Sequence, residues 1–178
     1  MNDVLIASLK KVEFFDTFSS DRLQEISNIA TIESFGLGDK LLAPDTIPNK
    51  VSFVLDGEIR IIYQDKDEIR TLGKGKLGTP IGIISHLRSQ GCEYILASSD
   101  INVLTIPDTL FIELYQENID FRNLCEKTTY PSEVVSTISQ CKELNIINVL
   151  DFYLNNKNFI ELTDNIIDFK NDYIYIIG

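Results

Sequence analysis

The sequence predicts an α+β protein: short antiparallel strands forming a jelly roll or barrel, with helices before the strands and a helical extension after them. Three observations carry this expectation. Residues 31–107 contain several β-rich runs, each bounded by Gly, Pro, Asp or Asn. An Asp56-Gly57 pair sits between two such runs, as a tight hairpin turn would require. Apolar residues at helical spacing flank the strand zone on both sides.

The elements follow in order. "VLIASLKKVEFF" places Val4, Leu5, Leu9, Val12 and Phe15 near helical spacing and is expected to be one helix. "FSSDRLQEISNIA" is expected to form a second helix, with Ser20 or Asp21 as N-cap and Leu23, Ile26 and Ile29 on one face. The strand candidates are "KLLA", "KVSFVLDGEIRIIYQ", "EIRTLGKG", "CEYILAS" and "INVLTIP". Asp56-Gly57 is expected to close a hairpin, and "YQDKDEIR" a second, looser one. Many short strands at regular spacing favour a closed or double-sheet β architecture. Asp108 can cap "TLFIELYQEN", and "IDFRNLCEKT" follows it. Val134, Val135, Ile138, Leu144, Ile147, Leu150 and Leu154 then recur at helical spacing, a stripe expected to pack on the roll or on a second copy of the chain. "DFKNDYIYIIG" reads as a short terminal strand leading towards a further domain.

Composition narrows the function. The chain has 178 residues, 44% hydrophobic and 24% charged, enough for a sizeable core. A net charge of −11 argues against a nucleic-acid partner, whose phosphates demand clustered Lys and Arg. Cys92, Cys125 and Cys141 are too scattered for a disulfide framework or a zinc site, and suit a reducing cytoplasm. His86 is the single histidine, so no His-rich metal centre is expected. Cys92 has no evident base partner, and no catalytic residue, metal or cofactor is assigned. The start of the chain carries no secretory signal, and no run reaches the length of a membrane span.

Between the strands lies "PIGIISHLRSQGCEYILASSD", a glycine turn, a helical turn, a loop and a strand. With "FFDTFSSDRLQEISNIA", "GDKLLAPDTIPNKVSFVLDGEIRIIY", "LGKGKLGTPIG" and "ASSDINVLTIPDTLFIEL", it resembles the cyclic nucleotide-binding domain family over roughly residues 10–125. The resemblance implies a β-roll with flanking helices that relay occupancy to a neighbouring module. It also implies a ligand cassette in which a glutamate after the glycine takes the ribose hydroxyl and a later arginine pairs with the cyclic phosphate. Aligned on Gly82, those positions hold Ile83 and Cys92. Neither can do the chemistry, because a desolvated phosphate needs a paired cation. Glu93 would repel a phosphate. Weak or no cyclic nucleotide binding is therefore expected at this degenerate pocket of Gly82, Ile83, Ser85, Arg88, Cys92 and Glu93.

The string "IGIISHLRSQGCEYILASSDINVLTIP" is also similar to a cyanobacterial cassette of the form "I/V-G-W-x-S-L-L-R-G-x-P-C-E-x-x-x-A-S", matched at Gly82, Ser85, Leu87, Arg88, Cys92, Glu93, Ala97 and Ser98. In that group the domain precedes peptidase and membrane-spanning ATPase modules of ABC exporters. This implies a cyclic nucleotide-binding-like domain at residues 1–127 and a helical connector at 128–178. Its partners would be a membrane-transporter or peptidase module in the same polypeptide and a second copy in a homodimer, on the cytoplasmic face of the membrane. The alternative is a sensor of an unusual small anion or nucleotide, using Arg88 and main-chain amides.

Overall fold

A computed structural model describes residues 2–65, 68–128 and 130–140. One compact unit runs from Met1 to Glu133, and the chain from Val134 onward falls in a second. The first unit is the predicted fold, an antiparallel β-roll with helices at both ends.

The N-terminal segment is not one helix. Helix α1 spans Asn2–Leu9, and a single 3-10 turn, Glu13–Phe15, follows a break. The break turns Val12, Phe14 and Phe15 into the core together, which a continuous helix could not do. Helix α2 spans Ser20–Ile29, and its N-cap is Ser19 rather than Ser20 or Asp21: the Ser19 side chain accepts from the Arg22 N–H. Leu23 and Ile26 are buried as expected, whereas Ile29, in the last turn, is exposed.

The strands form two four-stranded antiparallel sheets. One has the order β1 (Thr31–Phe35), β8 (Ile101–Pro107), β3 (Lys50–Asp56), β6 (Pro80–Ile81). The other has the order β2 (Lys40–Leu42), β7 (Ile95–Ala97), β4 (Ile59–Asp65), β5 (Glu68–Gly75). Asp56-Gly57 therefore does not close a hairpin, because β3 and β4 belong to different sheets. It is a corner. Gly57 has φ +85°, and the Ser99–Ile101 corner packs against it. The Glu58 N–H donates to Ser99 Oγ at 3.0 Å and the Ser98 N–H to the Glu58 carbonyl at 2.7 Å, so the two corners brace each other. The looser hairpin is present: β4 and β5 pair from Ile59 opposite Gly75 to Asp65 opposite Glu68.

Strands β3 and β8 are buried on both faces, which explains their nearly unbroken apolar runs. Val51, Phe53, Leu104 and Ile106 face the helices. Val54, Val103 and Ile101 face the interior of the roll with Ile59, Ile81, Ile95 and Ala97. Ser52 and Thr105, opposite each other in register, satisfy their hydroxyls mutually at 2.9 Å. Helix α4 (Asp108–Glu117) begins at Asp108 itself, so Asp108 is its first residue and not its cap. Helix α5 (Ile119–Lys127) is capped by Asn118, whose Oδ1 accepts from the N–H groups of Asp120 and Phe121. Helix α6 spans Pro131–Gln140 and carries Val134 and Val135 of the apolar stripe. The Ile138 side chain, Leu144, Ile147, Leu150, Leu154 and the expected terminal strand lie outside the described residues.

The corner predicts a specific weakness. A Cβ on Gly57 would meet the Asp100 carbonyl and Ile101 Cγ2, each at 2.5 Å, in a left-handed conformation. The conformation alone costs a side chain about 1–2 kcal/mol. Gly57→Ala is expected to lower stability by at least about 2 kcal/mol, read from the urea unfolding midpoint.

Candidate functional site

The cassette begins where β6 ends. Gly82 takes φ +95°, which swings the chain from the sheet into α3 (Ile83–Leu87). The loop after the helix is wedged against the β2–β3 connection. A Cβ on Gly91 would meet the Thr46 backbone nitrogen at 2.4 Å, so only glycine admits this approach. His86 lies on the helix side, half-buried, its ring 5.6 Å from that of Phe111. Burial depresses its pKa, against the nearby Asp108 carboxylate and a hydrogen bond to the Pro48 backbone. It is a packed histidine.

Gly82, Ser85, Cys92 and Glu93 converge at one point, and Ile83 turns away from it. Ile83 is fully buried in the cluster that joins the helices to the roll. Glu93 is only 3% exposed. Its Oε1 accepts from the Gly82 N–H at 3.0 Å, and its Oε2 accepts from the Ser85 N–H at 3.2 Å and the Ser85 hydroxyl at 2.8 Å. Burial pushes its pKa up, and these three donors partly offset that. The Cys92 thiol lies 3.8 Å from Ser85 Oγ. Burial, reinforced by the Glu93 charge, pushes its pKa up to about 11, so it stays protonated and poorly nucleophilic at neutral pH.

Arg88 points elsewhere. It caps the C-terminal end of α3, and its Nε and Nη2 both donate to Glu133 Oε1 in the first turn of α6. Thus the residues expected to line a pocket are near one another, but their polar groups face partners from the chain itself. The sequence places Glu93 in the pocket as a charge that repels phosphate, and gives no direct sign of its inward hydrogen bonds or of Glu133 as a partner for Arg88. The indirect sign of the first is a lone carboxylate running straight into the apolar "YILA" strand, with a serine eight residues before it. Nothing local marked the second. Among the described residues, no group of three or more His, Cys, Asp or Glu side chains could hold a metal ion, and no helix is long and apolar enough to cross a membrane.

Solved structures share this architecture. A regulatory subunit of a cAMP-independent protein kinase A from Trypanosoma cruzi, bound to guanosine, superposes with a TM-score of 0.67 at 16% identity, over 80% of this chain and 51% of that one. The Trypanosoma brucei counterpart, as a triple mutant bound to cAMP in the A site, gives 0.66 at 13% identity over 76% and 50%. A Geobacter metallireducens protein, given the name of a cyclic nucleotide-binding protein, gives 0.56 at 16% identity over 75% and 92%. The chain spans about half the length of the trypanosomal chains. No family model and no curated protein matches the sequence. The fold is that of a cyclic nucleotide-binding β-roll with its helices, and at these identities the likeness speaks to fold alone.

The Glu93 geometry makes two outcomes measurable. Glu93→Ala leaves the Gly82 and Ser85 N–H groups without their acceptor, at about 1–3 kcal/mol for each donor that water cannot reach. Chemical denaturation should show the loss. Because folding raises the Glu93 pKa, the ionised form is disfavoured in the folded state. Its contribution to stability therefore falls as pH climbs through the ordinary glutamate range and up to the raised value. The stability difference between wild type and Glu93→Gln should shift towards the Gln variant over that climb.

Proposed function

We propose that this domain is a non-catalytic regulatory or docking module whose cyclic nucleotide cassette is filled by its own side chain. The observation that carries the reading is Glu93, a buried carboxylate on the amide and hydroxyl donors of the cassette. Two features support it. Ile83, where a ribose acceptor would stand, belongs to the core. Cys92, where a phosphate cation would stand, carries no positive charge, and a phosphate there would meet Glu93 instead. The roll interior is packed with Val54, Ile59, Ile81, Ile95, Ala97, Ile101 and Val103.

The cassette string supports a place for such a module as the cytoplasmic head of an ABC-type peptide or protein exporter of cyanobacterial kind, with the transporter or peptidase module in the same polypeptide. Native protein should then fractionate with membranes, and a protein recovered only from the soluble fraction, with no transporter attached, overturns this placement. The other reading, an anion sensor using Arg88 and main-chain amides, has to displace Glu133 from the first and Glu93 from the second.

Calorimetry tests the central claim. Cyclic AMP, cyclic GMP and guanosine should give no heat at high-micromolar concentration, and a submicromolar dissociation constant would overturn it. Cys92→Arg with Glu93→Ala should raise cyclic nucleotide affinity, whereas Cys92→Arg with Glu93 retained should not. Each restored charge-assisted contact is worth about 1.5–3 kcal/mol, or roughly tenfold to a hundredfold in affinity.

A further inference from the structure

We infer that the Arg88–Glu133 pair is a latch that fastens the exit of the first unit to the cassette, so that the state of the cassette is set by the chain that follows instead of by a ligand. The inference deepens the self-filled reading of the site and rests on it.

The argument starts from what holds residues 130–133. Among the described residues, the backbone hydrogen bonds of this stretch are local, such as the Glu133 N–H to the Tyr130 carbonyl. Pro131 opens α6 and has no N–H to give. The ties to the rest of the unit are therefore made by side chains. The Tyr130 hydroxyl donates to the Cys125 carbonyl of α5 at 3.2 Å, and its ring is buried in the core cluster. The Pro131 ring faces Gly73 of β5, where an added Cβ would stand 3.6 Å from its Cγ. Ser132 is buried. Glu133 takes both Nε and Nη2 of Arg88. One short stretch thus touches α5, β5 and the cassette, at the point where the first unit ends.

Of these ties, the ion pair is the one that reaches the cassette and depends on charge. The Arg88 backbone is fixed, since its N–H bonds to the Ile84 and His86 carbonyls. Its side chain is half exposed, so the pair is accessible to competing charges and to salt. Drawing Glu133 away removes the partner of Arg88, the residue that closes α3, and α3 is the helical turn whose Ser85 donors hold Glu93. A module attached after α6 then has a mechanical route to the cassette that no nucleotide needs to open.

Residue-resolved hydrogen exchange on the whole chain tests this. Arg88→Gln and Glu133→Gln should each speed exchange of the Gly82 and Ser85 amides and of the first turn of α6 by about two- to fivefold, the range a partly exposed ion pair supports. The charge swap Arg88→Glu with Glu133→Arg should return both regions towards wild-type protection. Raised salt should reproduce the acceleration in the wild-type protein, which keeps the test valid if a variant folds poorly. Unchanged exchange in the single variants, acceleration confined to α6, or a swap no better protected than the single variants would each overturn the latch. None of these outcomes bears on nucleotide binding, which calorimetry reads separately.

Discussion

An aromatic cluster holds the first unit together. Phe53, at the centre of β3, packs against Phe15 at 5.0 Å and Phe14 at 5.4 Å between ring centroids. Phe121 of α5 meets Phe14, Phe15, Phe18 and Phe111. One cluster therefore joins the N-terminal 3-10 turn, the central strand and two later helices. Aromatic pairs gain from offset and edge contacts as well as from burial, and loss of one such ring from a core typically costs about 3–5 kcal/mol. The cluster buries the outer face of β3 and so packs the helices directly on the roll. The break after α1 follows from the same demand, because it lets Phe14 and Phe15 enter side by side.

On that frame sits the segment from Gly82 to Glu93, whose buried amide donors meet a carboxylate of the chain itself. The amides at the start of a helical turn need an acceptor when buried. A bound anion is one solution and a side chain is another. Here Glu93 supplies the acceptor from within the chain, while Ile83 packs in the core and the Cys92 thiol lies beside Ser85.

Much of this was legible beforehand. The alternation of short β-rich runs and Gly, Pro or Asp boundaries marked the strands, because these residues state local torsion preferences directly. The two-sided burial of β3 and β8 was foreshadowed by their continuous apolar runs. That positions 83 and 92 hold an apolar residue and a thiol was plain from the residues themselves. Other features were not legible. Asp56-Gly57 carries the same local signal whether it closes a hairpin or turns a corner, since either requires a positive φ. Ser19 and Ser20 offer the same capping hydroxyl, and only the direction of the incoming chain selects Ser19. Asp108 at a helix start does not reveal whether it precedes the first turn or belongs to it.

The sequence by itself determined the fold class and the place of the glycine turn and helical turn between the strands, because each rests on residue types read over short spans. Only the tertiary structure decided which strands share a sheet, that Glu93 turns inward onto the Gly82 and Ser85 donors, and that Arg88 finds Glu133, 45 residues on. Pairing of that kind depends on which groups the folded chain brings within hydrogen-bond reach. A spacing along the sequence does not encode that distance.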